Sequence, residues 1–525
     1  MSNSTEIAVQ KDAAHMVEWA DDSKHQIDQQ EAQRLGAEFD PNSPENKKLV
    51  RKLDWRLVAS TLRRPSCWAL YLLSNVDRAN IGNAKTGGLE EDFKLTSTQY
   101  SIIVLVFFTS YIVCEVPSNM ILGRVRPSIY LPTLAILWGV AAACQGACQN
   151  WHQIVGLRFL IGFFESGFAP GCAFYLSSWY RKYELASRYA WLYTSVAVAG
   201  AVSGLLAGVI TEFMDGAAGI AGWRWLFIIE GVASIVLGVI VMFVMPDYPT
   251  SINSKFLTKE ERILACNRLA IDGMGLAQGA QKRVGEWTAL KMTIRDWRTW
   301  CLCFLFVMGT GSQTIQYFIP SLVETFGWKG HYAQCAHTSR PPLRLSADCT
   351  LDMTIPGYAF AVVCILVGCF TADWLKTIWP VLTMMSGSGF VFFVATTAAT
   401  DGMVRYVLAI FAFGTIYGCS PLTKTWISHV LSHPSEKRAV AIALINALGN
   451  GSSIYGSFLW PDKDSPRFTP GFATTTAWMG ALAVGTVVSA WLFKRYPSQA
   501  QNHEAVMASQ LRAEREQQQK MSGHV

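Results

Sequence analysis

Residues 158–171 read Arg-Phe-Leu-Ile-Gly-Phe-Phe-Glu-Ser-Gly-Phe-Ala-Pro-Gly, inside an apolar run from about residue 151 to residue 180. A run of this length crosses a bilayer as a helix, yet this one carries Arg158 and Glu165, which are costly inside a membrane. Their spacing of seven residues, about two helical turns, places both charges on one face. The same stretch has small residues at the four-residue spacing that lets two helices approach closely, Gly162 with Ser166 and Gly167 with Gly171. These features predict a helix that lines a polar pathway; the alternative is a buried ion pair that only holds helices together.

The rest of the chain repeats this apolar character. Of the 525 residues, 51% are hydrophobic and 16% are charged, against about a quarter charged in a soluble chain. The sequence therefore predicts a polytopic membrane protein. Twelve apolar runs, which we number as spans 1 to 12, lie at about 66–84, 98–121, 129–148, 153–177, 188–211, 223–246, 298–320, 355–372, 378–397, 403–422, 438–458 and 472–493.

The runs divide the chain into two halves. We predict an all-α membrane fold with 6+6 pseudo-symmetry, because the sequences between corresponding spans of the two halves are weakly alike. The expected domains are a disordered N-terminal tail, a six-helix bundle, a middle loop, a second six-helix bundle and a C-terminal tail, at residues 1–46, 47–246, 247–296, 297–495 and 496–525. The cysteines are spread mostly through apolar runs, which predicts small packing residues rather than a disulfide framework.

Basic residues between the spans predict the orientation. The segments on the side of the N-terminus, in which Lys424 is expected to be a loop residue, hold several times as many arginines and lysines as the opposite segments. Because cytosolic loops are enriched in Lys and Arg, both termini are expected in the cytosol. The net charge of +6 is explained by this topology rather than by nucleic-acid binding.

Span 1 contains the most polar intramembrane cluster of the first half. Asp77 lies about eleven residues, roughly 16 Å, from the inner end of the span and so near the middle of the bilayer. Asp77 and Asn80 share a helix face, whereas Arg78 points about 100° away. Arg78 is the candidate anchor for an anionic substrate, because a guanidinium binds a carboxylate with two hydrogen bonds. The alternative is a structural pair of Arg78 with Asp77 or Glu165.

Other spans contain further polar candidates. In span 2, Glu115 is interpreted as a gating latch that pairs with Arg124 or Arg181 rather than as a substrate contact, and Glu230 of span 6 is expected to pair with Arg224. Neutral side chains at the depth expected for a substrate are Gln313, Gln316 and Tyr317 in span 7 and Asn446 in span 11. They either bind the substrate or only form hydrogen bonds between helices.

Several classes of function have no motif here. The sequence has no G-x-x-x-x-G-K-[ST] loop for ATP, no H-E-x-x-H and no discernible nucleophile–base set. We therefore expect no enzyme activity, no metal and no cofactor. The lipid bilayer is an expected partner and nucleic acid is not, and the chain is expected to be a monomer; a small-molecule organic anion and a proton are the partners that the family resemblance described next implies.

An ordered set of short stretches resembles a known family. Together they are similar to the major facilitator superfamily, and specifically to its fungal anion:cation symporter branch, which includes allantoate, nicotinate and pantothenate permeases. The stretches are Arg51-Lys-Leu-Asp-Trp55, Asp77-Arg-Ala-Asn-Ile-Gly-Asn-Ala84, Glu115-Val-Pro-Ser-Asn119, residues 158–171, Gly222-Trp-Arg-Trp-Leu-Phe-Ile-Ile-Glu-Gly231, Thr354-Ile-Pro356, Lys437-Arg-Ala-Val-Ala441 and Asp464-Ser-Pro-Arg-Phe-Thr-Pro-Gly-Phe472.

The resemblance implies proton-coupled uptake of a small carboxylate by alternating access, in a multi-pass protein of the plasma membrane. Asp77 or Glu165 would be the coupling carboxylate, and Arg78 or Arg158 the anion anchor. Export of a fungal secondary metabolite and a non-transporting nutrient sensor are the alternatives.

One segment departs from the family pattern. Residues 335–352 form an insert between spans 7 and 8 that begins at Cys335 and contains Cys349. It is either a real external loop closed by a Cys335–Cys349 disulfide or a translated intron, and the absence of periodicity favours the intron.

Overall fold

The computed structural model of the protein describes residues 43–58, 67–249, 257–271, 284–317, 355–456, 459 and 468–497. Within these ranges the chain is helical and contains no strand. A helix occupies the position of each predicted span: Cys67–Ala84, Ser97–Leu122, Pro127–Gln145, Trp151–Glu165 with Phe168–Ser177, Lys182–Phe213, Gly222–Val244, Trp297–Ser312, Ile355–Leu375, Trp379–Ala398, Gly402–Val430, Ser435–Gly456 and Thr469–Arg495. Nine candidate membrane spans satisfy length and hydropathy criteria among the described residues. The predicted all-helical fold is confirmed.

Small residues set the packing of span 4, as the sequence predicted. A Cβ atom at Gly162 would collide with the hydroxyl of Ser110 and the carbonyl of Phe107, and one at Gly167 would collide with the hydroxyl of Ser118. These contacts all lie on span 2. Spans 2 and 4 therefore approach each other closely because span 4 presents glycines there.

The two halves of the bundle meet along spans 2, 4 and 5 on one side and spans 8, 10 and 11 on the other. The Asp373 carboxylate of span 8 accepts hydrogen bonds from the backbone N–H groups of Ala186, at 3.3 Å, and Ser187, at 2.8 Å, in span 5. Nearby, the Asn119 amide donates to the Ala439 carbonyl at 2.8 Å. These contacts close the end of the bundle that carries the basic loops, which we call the basic end.

Segments outside the spans cover the same end. The helix Pro44–Leu53 begins after Ser43, whose hydroxyl accepts from the N–H of Asn46. The middle segment contributes two helices: Lys259–Ile271 contacts this helix, and Glu286–Arg295 packs against span 11. Ion pairs join these helices and the adjoining residues to one another and to the spans: Lys52 with Glu261, Arg188 with Asp54, Arg268 with Glu184, Arg124 with Glu286, and Lys437 with Asp296.

Span 10 differs from its prediction in a way that matters for the site. It was expected to end near residue 422, but the helix continues to Val430. Lys424, which the sequence placed in a loop, therefore lies within the helix and is buried. The polar residues Thr423, Lys424 and Thr425 lower the hydropathy there, but the threonine hydroxyls donate to backbone carbonyls one turn earlier, and the surrounding helices bury the segment.

Candidate functional site

Arg78 and Glu165 form an ion pair inside the N-terminal half. The Nε of Arg78 donates to the Oε1 of Glu165 at 2.5 Å, and the hydroxyl of Ser74 donates to the same oxygen at 2.6 Å. Glu165 is fully buried, whereas the side chain of Arg78 is 24% exposed and its guanidinium lies 4.7 Å from the ring centre of Tyr111. Of the two partners that the sequence offered for Arg78, the structure pairs it with Glu165.

The other face of span 1 contacts span 6. The hydroxyl of Ser234 donates to the Asp77 carboxylate at 3.2 Å, and the amide of Asn80 donates to the Glu230 carboxylate. Helical geometry thus separates Asp77 and Asn80 from Arg78 in the way the spacing predicted. Span 1 therefore contacts two acidic clusters, one on each face. The first contains Glu165 with Arg78, and the second contains Asp77 and Glu230 without an arginine.

The expected pair of Glu230 with Arg224 is wrong. The guanidinium of Arg224 instead donates to the backbone carbonyls of Gly146 and Cys148, at 3.0 and 2.5 Å, and lies over the ring of Trp223. Arg224 is near the start of span 6, where it reaches the end of span 3, while Glu230 faces span 1. Their separation of six residues leaves them on different sides of the helix, because residues that share a face are three, four or seven apart.

Arg158 is buried, but it does not form the ion pair with Glu165 that was the alternative interpretation of their spacing. Its guanidinium lies 5.7 Å from the ring centre of Phe227, and two of its nitrogens, Nε and Nη2, have no hydrogen-bond partner among the described residues. No ion pair of Arg158 occurs in that part of the chain, although Asp77 and Glu165 are near enough to interact with it electrostatically. Span 4 therefore places a cation close to both acidic clusters without neutralising either of them directly.

Glu115 contacts the opposite half of the bundle. The amide of Asn446 in span 11 donates to its Oε1 at 2.5 Å. The predicted latch with Arg124 or Arg181 is not formed: Arg124 pairs with Glu286, and Glu115 has no ion pair with either arginine among the described residues. Arg181 precedes span 5, and its backbone N–H donates to the Glu184 carboxylate at 3.4 Å. Glu115 is too deep in span 2 for the loop arginines to reach it, because it lies seven residues before the helix end at Leu122.

The candidates in span 7 bind span 10 within the C-terminal half. The Nε2 of Gln313 donates to the Ser420 hydroxyl at 2.6 Å, and the hydroxyl of Tyr417 donates to Gln316. These contacts match the helix–helix alternative. Tyr317 ends the short helix Gln313–Tyr317, and its side chain lies outside the described residues.

Lys424 is a residue of the site that the sequence reasoning missed. It is 5% exposed, and its Nζ lies 5.1 Å from the ring centre of Tyr193 in span 5 and 5.5 Å from that of Phe306 in span 7. The sequence did contain a signal for a buried helix here, because Lys424 is flanked by Ser420, Thr423, Thr425 and Ser428. Serine and threonine hydroxyls can bond to backbone carbonyls of their own helix, so such a run does not need to be a loop.

The insert at residues 335–352, with its Cys335–Cys349 prediction, lies outside the described residues. None of the eleven cysteines that the structure does describe forms a disulfide with another described cysteine, in keeping with their predicted packing role.

Comparisons with known proteins agree on one family. The model of the Major Facilitator Superfamily matches residues 67–457. The chain is 32% identical over 445 residues to the MFS transporter prlL of Fungal sp. (strain NRRL 50135), covering 82% of each chain. It is 26% identical over 467 residues to the pantothenate transporter liz1 of Schizosaccharomyces pombe, covering 87% of this chain and 83% of that protein. Among solved structures, the proton:xylose symporter XylE bound to 6-bromo-6-deoxy-D-glucose superposes with a TM-score of 0.56 at 14% identity, covering 82% of this chain and 95% of XylE.

Proposed function

This chain belongs to the Major Facilitator Superfamily and is a multi-pass membrane transporter rather than an enzyme, and from this premise we propose that it moves a small organic carboxylate together with protons. We assign it to the anion:cation symporter branch, with uptake across the plasma membrane as the direction. It acts as a monomer, because one chain supplies both halves of the bundle.

The observation that carries the proposal is the pairing of Arg78 with Glu165. A guanidinium near the middle of a span is an anchor for a carboxylate, and here an internal carboxylate occupies that anchor. A substrate carboxylate competes with Glu165 for Arg78. When Glu165 takes up a proton, it loses its attraction for Arg78 and releases it to the substrate; when the substrate leaves, Glu165 loses the proton and binds Arg78 again.

Asp77 and Glu230 form a second acidic cluster that supports the same exchange. Both are buried and held by neutral donors, Ser234 and Asn80, so that neither is neutralised by a direct ion pair among the described residues. Burial favours the protonated form of a carboxylate that lacks a cationic partner. Arg158, within electrostatic range of Asp77 and Glu165, links the two clusters.

Alternating access then follows from the contacts between the halves. In this structure the basic end is closed by the bonds of Asp373 and Asn119 across the interface. A transporter must break these contacts to open its binding site toward that side, which we propose is the cytosol.

The test is transport by the purified full chain in proteoliposomes with an imposed pH gradient. Pantothenate is the first probe, because a relative is named a pantothenate transporter; succinate, benzoate and the uncharged alcohol panthenol complete the panel. We expect at least one carboxylate to be concentrated in a manner that a protonophore abolishes, and panthenol to be excluded. Accumulation that is independent of the pH gradient, or transport of panthenol equal to that of the carboxylates, contradicts the proposal. The direction of the pH gradient that drives accumulation distinguishes uptake from export.

A further inference from the structure

Lys424 lies at the interface between the two halves. It belongs to span 10, in the C-terminal half, and its ammonium group lies 5.1 Å from the ring centre of Tyr193, in the N-terminal half, and 5.5 Å from that of Phe306, in its own half. With 5% of its surface exposed, it is as buried as the apolar residues around it. A lysine in such a place is costly unless an anion compensates it, and intramembrane charges of this kind are usually functional.

No acidic residue forms an ion pair with Lys424 among the described residues. Glu115 and Arg78 are close enough to Lys424 to interact with it electrostatically, but the Oε1 of Glu115 accepts from Asn446 at 2.5 Å, and no carboxylate of the described residues lies within ion-pair distance of Lys424. The basic residues Lys437 and Arg188, by comparison, pair with acids at 2.6 and 2.7 Å. Lys424 is therefore a buried cation of the C-terminal half without a direct acidic counterpart in the described chain.

Arg158, another buried cation for which the described residues show no ion pair, does not share this position. It lies over Phe227, so that both its helix and its aromatic neighbour belong to the N-terminal half. Lys424 and Arg78 instead approach the same interface from opposite halves, and each lies beside a tyrosine ring, Tyr193 and Tyr111 respectively.

We infer that Lys424 is the anion-binding residue of the C-terminal half, and that the carboxylate of the substrate is held between Lys424 and Arg78. This inference rests on the proposed function and specifies its site. Lys424 is the cation available in the present arrangement, because Arg78 is occupied by Glu165. The carboxylate first binds Lys424, and Arg78 joins it once Glu165 is protonated. An anion held by one cation from each half also draws the halves together.

The surroundings define the class of substrate. Aromatic rings lie beside Lys424: the ring centres of Tyr193 and Phe306 are within 5.5 Å of its Nζ, and the rings of Tyr71 and Tyr193 lie 6.1 Å apart. Such surfaces favour an organic anion with one carboxylate and an apolar or flat body over a small inorganic anion.

The experiment measures binding rather than transport. The melting temperature of the purified full chain is followed while pantothenate, succinate, benzoate or panthenol is titrated. For each carboxylate that stabilises the wild type, we expect Lys424→Gln to weaken apparent affinity about ten- to hundredfold, the range for losing a hydrogen-bonded charge. Lys424→Arg should recover part of the loss, because it keeps the charge. The matched control is Lys494→Gln, which removes an exposed lysine at the end of span 12 and should change nothing.

A merely structural lysine gives a different result. In that case Lys424→Gln lowers the melting temperature without anion and leaves the anion-induced increase intact, which overturns the inference. Lys424→Met, similar in length and uncharged, repeats the comparison should the glutamine variant fail to fold; we expect it to melt no lower than wild type without anion. A wild type that no carboxylate stabilises contradicts the proposed function itself, whereas stabilisation that is equal in wild type and variants contradicts only the role of Lys424.

Discussion

Asn446 in span 11 donates a 2.5 Å hydrogen bond to the carboxylate of Glu115 in span 2, and thereby joins the two halves of the bundle. Glu115 is fully buried, and its second oxygen has no partner among the described residues. A buried carboxylate depends strongly on each donor that it has. The bond therefore stabilises the present arrangement of the halves and must be remade or replaced when they move.

Removal of this donor should destabilise the protein. For Asn446→Ala we expect a loss of about 1–3 kcal/mol, the range for leaving a buried polar group unsatisfied, seen as a lower melting temperature of the purified chain. Asn75→Ala is the control, because its amide donates to the Tyr71 carbonyl within its own helix. Equal melting of the two variants would show that the contact between the halves contributes nothing.

Neutralisation of Glu165 should uncouple transport from protons. In Glu165→Gln the side chain keeps its size but cannot gain or lose a proton, so Arg78 is permanently free for the substrate. We expect exchange of labelled for unlabelled carboxylate to persist, while accumulation driven by a pH gradient is lost. Glu90→Gln, at an exposed surface pair with Lys85, should retain both activities. Normal gradient-driven accumulation by Glu165→Gln would exclude Glu165 as the coupling group.

Asp77 is the second coupling candidate, and Asp77→Asn tests it in the same assay. The Asn side chain can still accept from Ser234, so the fold should be preserved. We expect accumulation to fall while exchange continues. If Asp77→Asn transports like wild type and Glu165→Gln does not, the proton is carried at the Arg78 cluster alone.

Arg78 should be sensitive to geometry as well as charge. Arg78→Gln is expected to raise the KM for a carboxylate about ten- to hundredfold, and Arg78→Lys to give an intermediate value, because lysine keeps the charge but not the planar pair of donors. Arg495→Gln, at the exposed end of span 12, is the control. Equal KM values for Arg78→Gln and the control would remove Arg78 from the binding site.

Two glycines of span 4 test the close packing against span 2. Gly162→Ala introduces a methyl group that collides with Ser110 and Phe107, and should destabilise the chain by about 1–3 kcal/mol. Gly156→Ala, in the same helix, has no atom within 4 Å of its new Cβ and should melt at or above the wild-type temperature. A reversed order would contradict the packing described for spans 2 and 4.

The sequence by itself determined the approximate position and the helical character of the apolar runs, because hydropathy over some twenty residues is a local property of the chain. It also determined that Asp77 and Asn80 diverge from Arg78, since that follows from 3.6 residues per turn, and that the glycines of span 4 face another helix. The tertiary structure alone decided the partners: Glu165 for Arg78, Asn80 for Glu230, Asn446 for Glu115. These partners are 87, 150 and 331 positions apart, and their meeting depends on how the helices rotate and cross. For the same reason Lys424, polar enough locally to suggest a loop, became part of the buried interface: neighbouring helices, not its own segment, supply its surroundings.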